Sequence, residues 1–218
     1  MLNRLANLFS DIRRASSSAP GYYHVVLPPE LSSHDLRTAM ITVGDHLIAK
    51  MRAEAGIWFD YFSLGRVDQK RTTKIHLDGA PPKSILILGY EPSPIPSSVE
   101  LIDYSRYCRD RGLSTTSFLA RYNPMYSDGV EFADYTTRLT GFVPASNNLL
   151  VINNSSCDCG SDSICGVMHW AGVEPGSGPR VINTANLAEL TGTGQHALDE
   201  MDKIRFVELS DVNVSYGG

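Results

Sequence analysis

The sequence predicts a mainly β domain with flanking helices, and three observations support this. Several short runs rich in β-branched and aromatic residues are bounded by Gly, Pro, Asn or Asp, as expected of strands. Helical spacing of apolar residues is clearest in the first 56 residues, before most of these runs. The chain has 218 residues, 42% hydrophobic and 20% charged, which suffices for one sizeable core. We therefore predict a single domain, 1–218.

The first 64 residues predict two helices and two strands. Residues 1–14 have an amphipathic pattern, and we expect a helix that caps the β core rather than a transit peptide or membrane-surface helix. Residues 22–27 predict a strand that ends at two prolines. A long helix begins at Ser32 and ends before Gly56. These helices, within 1–56, should pack on the core, and the aromatic-rich 57–64 predicts the next strand.

The remaining elements follow from the same signals. Predicted strands cover 72–77, 83–90, 147–153, 166–171, 180–184 and 203–209, and a short helix covers 195–201. Residues 97–141 are predicted to be a helical insertion, with helices at 98–111 and 114–122 and a loop at 123–129. The insertion carries side chains that suit a polar or anionic substrate, although burial of one helix face explains some of them equally well: Tyr104, Arg106, Tyr107, Arg109, Arg121, Tyr122 and Tyr126.

One triplet and two later residues form a candidate metal site. Successive side chains of a strand point to opposite faces, so His76 and Asp78 should project to one side with Leu77 turned away. His169 lies in a later predicted strand, and a turn-rich hairpin then returns the chain to Arg180. Two imidazoles and one carboxylate can bind one face of an octahedral iron(II), which leaves the opposite face open. Arg180 would then bind the distal carboxylate of a cosubstrate.

This pattern resembles the iron(II)/2-oxoglutarate-dependent oxygenase superfamily, and its prolyl-hydroxylase-like members in particular, over residues 70–187. The resemblance implies a double-stranded β-helix, or jelly roll, with its core at about 57–187. It implies metal and catalytic roles for His76, Asp78 and His169, and binding of 2-oxoglutarate by Arg180 and Tyr90. It also implies Fe(II) as the metal, 2-oxoglutarate and O2 as cosubstrates, and hydroxylation of an unactivated C–H bond as the reaction. Hydroxylation is expected because Asp78 occupies the position where halogenating members have a small residue. The chain departs from the pattern at Ile182, where many members have Ser or Thr.

Two alternatives compete with this interpretation. Cys157, Cys159, Cys165 and His169 could bind zinc tetrahedrally, which would make the chain a non-catalytic, zinc-stabilised β-domain that acts as a binding module. A jelly roll with a different metal and no oxo acid is the other alternative, and it gives Arg180 no role.

Charge and hydropathy limit the partners. A net charge of −5 and a pI near 5.6 argue against nucleic acid, since binding to phosphates requires a basic face. No run approaches the roughly 18 apolar residues of a membrane span. We therefore expect a cytoplasmic protein with a small-molecule or peptide substrate and no membrane or nucleic-acid partner. The sequence does not predict the oligomeric state.

Overall fold

A computed structural model describes residues 7–13, 20–122, 130–157, 166–191 and 196–218. The strands are β1 Tyr22–Leu27, β2 Phe59–Asp68, β3 Ser84–Tyr90, β4 Ser97–Ile102, β5 Thr136–Arg138, β6 Asn147–Asn153, β7 Met168–Val173, β8 Val181–Glu189 and β9 Val214–Gly217. The α-helices are α1 Leu8–Arg13, α2 Ser33–Lys50, α3 Tyr104–Asp110, α4 Thr115–Arg121 and α5 Glu200–Glu208. Within these described ranges, no helix combines the length and the apolar character that crossing a bilayer requires.

The strand order is that of a jelly roll, as predicted. One sheet has the order β1-β6-β3-β8-β2-β9 and the other β5-β4-β7, and all of the strand pairs within them are antiparallel. From β2 to β8 the chain passes repeatedly between the two sheets, and an irregular segment, 72–78, joins the free edge of β7. Apolar residues of β3, β4, β6 and β8 meet between the sheets.

The outer face of the six-stranded sheet is covered by α2 and α5. Ser32 caps α2 through a capping box with Asp35, and the first residues after α2 form a π-helical turn that ends at Gly56 in the left-handed conformation. Helix α2 approaches the sheet closely at Gly44, where an added Cβ would collide with the Tyr61 phenol. The Tyr61 hydroxyl donates to the Ile41 carbonyl oxygen at 2.9 Å, which ties β2 to α2.

The outer face of the three-stranded sheet is covered by α3 and α4. Tyr104 and Tyr107 of α3 are buried against Phe118 and Phe132, so burial explains these two tyrosines. Leu77 and other residues that alternate with the predicted metal ligands pack on the same cluster. The helices therefore lie behind the ligand-bearing segments, on the face opposite to the interior. Tyr126 and the predicted loop at 123–129 lie outside the described residues.

Two predicted elements change their type, the predicted helix at 195–201 begins only at Glu200, and the predicted strand at 72–77 is irregular. The predicted helix at 98–111 is a strand followed by a helix, because Val99 and Leu101 alternate inward and Asp103, not Ser98, caps the helix through Arg106 N. The insertion at 97–141 is thus not purely helical. The predicted strand at 203–209 is largely helix α5, which is set by a capping box between Asp199 and Asp202.

Candidate metal centre

The first two predicted ligands lie in an irregular segment that runs beside β7. Thr73 N donates to the Ala171 carbonyl oxygen at 3.0 Å, and His76 N donates to that of His169 at 3.1 Å. Between these two hydrogen bonds the irregular segment advances by three residues while β7 advances by two, which is the signature of a β-bulge. The predicted regular strand at 72–77 is replaced by this bulge. His169 N donates back to His76 O at 2.9 Å, so the two histidines form a hydrogen-bonded cross-strand pair.

This pairing brings the three predicted ligands together. Side chains that oppose each other on adjacent antiparallel strands share a face, and the rings of His76 and His169 have their centroids 4.2 Å apart. Asp78 Oδ1 lies 3.3 Å from His76 Nε2 and 3.8 Å from His169 Nε2. One ligand atom from each residue lies within 4.8 Å of the others. Ligand atoms at right angles on a metal about 2.1 Å away are about 3 Å apart, so the 3.3 Å contact is already close to that spacing and the 3.8 Å contact would have to shorten by about 0.8 Å.

The hydrogen bonds of the imidazoles favour metal binding through Nε2. His76 Nδ1 donates to the Lys74 carbonyl oxygen at 2.6 Å, which points Nε2 towards Asp78. Burial lowers the pKa of His169 to about 4; Asp78 opposes this shift and His76 reinforces it, so the His169 ring is neutral at pH 7. His169 Nδ1 is buried and has no hydrogen-bond partner within the described part of the chain.

The pKa values of His76 and Asp78 are also shifted by their neighbours in the candidate site. Burial alone would lower the pKa of His76, but hydrogen bonds to Asp78 and to the Lys74 carbonyl raise it overall. Burial alone would raise the pKa of Asp78, but the hydrogen bond from His76 and the charge of both histidines lower it. Asp78 is therefore ionised at neutral pH and available as an anionic ligand.

A buried amide fixes the backbone of Asp78. Asn154 Oδ1 accepts from Asp78 N at 3.0 Å, and Asn154 Nδ2 donates to Asp78 O at 3.0 Å. The same Nδ2 donates to Ser84 Oγ at 3.2 Å, which links the clamp to the start of β3. Asn154 is only 1% exposed. The sequence analysis did not identify Asn154, because no spacing rule connects it with a residue 76 positions earlier.

Arg180 is buried between the sheets beside Tyr90. Its Cζ lies 5.6 Å from the centre of the Tyr90 ring, and Nη1 donates to Gln69 Oε1 at 2.8 Å. Its Nε and Nη2 are buried with no partner among the described residues. Burial raises the pKa of Tyr90, the Arg180 charge opposes that rise, and Asp78 adds to it. Tyr90 thus lies within electrostatic reach of both Asp78 and Arg180.

Ile182, where the chain departs from the family pattern, points to the apolar interior. Ile182 packs in the apolar cluster between the sheets, while Asn183 faces the other side of β8. There Asn183 Nδ2 donates to Gly89 O at 3.2 Å and to Glu91 Oε1 at 2.9 Å. Asn183 therefore belongs to the outer polar network with Arg66, which is paired with Glu91 at 3.0 Å.

The zinc alternative concerns residues that are only partly described. Cys157 lies within the described chain and is half-buried, whereas Cys159 and Cys165 lie outside it. The predicted C-x-C-x5-C-x3-H site therefore remains a prediction. In the structure, His169 Nε2 faces Asp78 and lies in the group with His76.

Comparisons with known proteins show similarity to iron- or 2-oxoglutarate-linked enzymes at low identity. No family model and no curated protein matches the chain. Among solved structures, the chain is similar to the non-heme alpha ketoglutarate dependent epimerase SnoN from nogalamycin biosynthesis (15% identity, 92% of this chain and 94% of that chain, TM-score 0.47). It is also similar to apo HygX from Streptomyces hygroscopicus (12% identity, 80% of this chain and 84% of that chain, TM-score 0.41). A third similar structure is a Pseudomonas putida prolyl-4-hydroxylase (12% identity, 80% of this chain and 72% of that chain, TM-score 0.37). At these scores the similarity adds no weight, and the fold and the candidate centre rest on the strand order and contacts above.

Proposed function

We propose that this protein is an iron(II)/2-oxoglutarate-dependent oxygenase that hydroxylates an unactivated C–H bond of a small polar molecule, an amino acid or a peptide side chain. The observation that carries the proposal is the convergence of His76, Asp78 and His169 within 4.8 Å. Two imidazoles and one carboxylate on one face are the ligand set of non-heme iron(II) oxygenases. When bound, iron(II) would supply the redox chemistry that couples O2 reduction to decarboxylation of 2-oxoglutarate and oxidation of the substrate.

Arg180 supports 2-oxoglutarate as the cosubstrate. A guanidinium that is 2% exposed, with two N–H-bearing nitrogens unpaired, requires an anion or water to offset its desolvation. A dicarboxylate can bind the metal through its keto acid end and place its distal carboxylate on those nitrogens. Tyr90, beside the guanidinium, would add a hydroxyl donor to the same carboxylate. His169, His76 and Asp78 would hold the metal, and the partial exposure of the last two leaves access for O2 and substrate.

The test is the visible charge-transfer band that iron(II) and 2-oxoglutarate produce together without oxygen. We expect the wild-type protein to show the band and His76→Ala and Asp78→Ala to lose it. Arg180→Lys should retain the band but require about 100-fold more 2-oxoglutarate. Lysine keeps the positive charge but lacks the planar guanidinium that binds a carboxylate through two hydrogen bonds.

Arg37→Lys is the matched control. It shortens another buried guanidinium, whose Nε and Nη2 both donate to the Val207 carbonyl oxygen on the outer face of the sheet. It should leave the half-saturating 2-oxoglutarate concentration unchanged. Absence of the band in the wild-type protein, or its retention in His76→Ala and Asp78→Ala, would refute the proposed function. Stoichiometric zinc that is lost in Cys159→Ser would instead favour the zinc-stabilised module.

A further inference from the structure

The space between the sheets has an apolar half and a polar half. On the six-stranded sheet, the inward side chains of β3 and β6 include Leu86, Leu88, Leu150 and Ile152, which are at most 3% exposed. In register with them on β8 and β2 are Asn186, Thr184, Ser63 and Gly65. Paired residues of antiparallel strands share a face, so these polar and small residues also point inward. The wall formed by β2 and β8 is therefore polar.

This polar wall faces the candidate metal centre. In the opposite sheet, the order from β4 to β7 to segment 72–78 places Leu101, His169 and His76 in one row. Leu101 packs in the apolar cluster, so the row faces inward. The two histidines continue that row beyond Leu101, on the side away from β5.

Asn186 lies about two residues along β8 from the level of Asp78. The Asn154 amide that clamps Asp78 also binds Ser84, and Ser84 is paired with Ala188 of β8. Asn186 precedes Ala188 by two residues on the same face, a separation of about 7 Å along a strand. Asn186 is therefore close to the level of the metal ligands, whereas Arg180 lies beyond the start of β8.

The Asn186 amide has one unpaired end. Its Nδ2 donates to Ser63 Oγ at 3.1 Å, and its Oδ1 is buried with no partner among the residues that the structure describes. Asn186 is 5% exposed, yet Ser63 and Thr184 beside it are only half-buried. Gly65 adds no side chain, and a Cβ there would lie 2.9 Å from Thr184 Oγ1. A buried acceptor without a partner is costly, and a ligand that donates a hydrogen bond would offset that cost.

We propose that Asn186 and Ser63 form a substrate subsite in which Asn186 Oδ1 accepts a hydrogen bond from a hydroxyl or amine of the substrate. This inference rests on the proposed function and adds the substrate class: a molecule with a hydrogen-bond donor near the carbon that is oxidised. The subsite fixes the orientation of that carbon relative to the metal ligands.

The experiment measures succinate release with paired compounds that differ by one donor, lysine with norleucine and homoserine with 2-aminobutyrate. In wild type, the donor-bearing member of at least one pair should stimulate release more strongly than its partner. Asn186→Leu, which keeps the side-chain volume but no polar group, should raise the half-saturating concentration of that compound about tenfold. Asn183→Leu, on the outward face of the same strand, should not change it. Asn186→Asp should favour the amine over the hydroxyl compound, because a carboxylate pairs with an ammonium group.

The charge-transfer band, recorded in the same samples, separates the two ways of failing. Loss of the band in wild type refutes the proposed function itself. A retained band with equal stimulation in wild type and Asn186→Leu, stimulation only by the members without a side-chain donor, or no stimulation by either pair refutes the subsite. If Asn186→Leu does not fold, the amine-over-hydroxyl preference of Asn186→Asp decides, and an unchanged preference overturns the proposal.

Discussion

Removal of the Asn154 amide should weaken iron binding without touching a ligand. In Asn154→Ala, Asp78 loses the hydrogen bond to its backbone N and the one to its backbone O, both of 3.0 Å, and Ser84 loses one of 3.2 Å. At roughly 1 kcal/mol for each ordinary hydrogen bond, the free energy of unfolding should fall by about 2–4 kcal/mol. The iron(II) affinity should fall by about 10- to 100-fold, as is typical when a partner that orients a ligand is removed.

Asn147 provides the matched control for this prediction. It lies at the opposite end of β6, is fully buried, and donates to the Pro28 and Leu31 carbonyl oxygens at 3.0 and 3.1 Å. Asn147→Ala should lower the free energy of unfolding by about 1–3 kcal/mol and leave iron affinity unchanged. Urea unfolding of the metal-free proteins measures the first quantity, and anaerobic iron(II) titration measures the second. Equal iron affinity in Asn154→Ala and Asn147→Ala would show that the clamp does not position Asp78.

Three further predictions concern the cosubstrate, the outer polar network and the packing of α2. Tyr90→Phe should weaken 2-oxoglutarate binding about two- to tenfold in a charge-transfer titration, and an unchanged affinity would remove Tyr90 from the site. Burial alone would raise the pKa of Glu91, but hydrogen bonds from Arg66 and its neighbours lower it, so its stabilising effect is present above about pH 4.5 and is lost as the pH falls through the lowered value. Glu91→Gln should therefore cost about 3 kcal/mol at pH 7 and progressively less below pH 4.5 in urea unfolding; a cost independent of pH would contradict this. Gly44→Ala should lower the free energy of unfolding by about 1–3 kcal/mol, and less in a Tyr61→Phe background; equal costs in both backgrounds would show that the collision with the phenol is not the cause.

The shared face of His76 and Asp78 could be predicted from sequence because it depends only on local alternation. Alternation places His76 and Asp78 on one face whatever the rest of the fold does. The bulge that aligns His76 with His169 could not be predicted, since it depends on hydroxyl groups replacing backbone pairing. Thr73 Oγ1 accepts from Ala171 N at 2.8 Å, and this contact joins residues 98 positions apart.

At 98–111 and at 203–209, apolar alternation and helix-capping residues predict different elements, and a different one of the two signals prevails in each segment. At 203–209 the alternating Ile204 and Phe206 suggested a strand, but the capping box starts a helix in which Phe206 is buried and Ile204 is 47% exposed. At 98–111 a serine suggested a cap, although Val99 and Leu101 already alternated as a strand. The cap that a helix uses is decided by where the preceding strand ends, which is a tertiary property.

Four buried polar atoms without partners in the described chain lie on the polar side of the interior. His169 Nδ1, Arg180 Nε and Nη2, and Asn186 Oδ1 are buried without partners in the described chain and belong to β7, β8 or the turn between them, whereas Asn147 Oδ1 of β6 and the outward-facing Asn183 Oδ1 are unpaired elsewhere. Each such atom costs about 1–3 kcal/mol. The apolar half between β3, β4 and β6 contributes the burial that offsets this cost. At Arg180 and Asn186 the proposed cosubstrate and substrate would offset this cost by pairing with the unpaired atoms, whereas the apolar Ile182 between them on the same face carries no such cost.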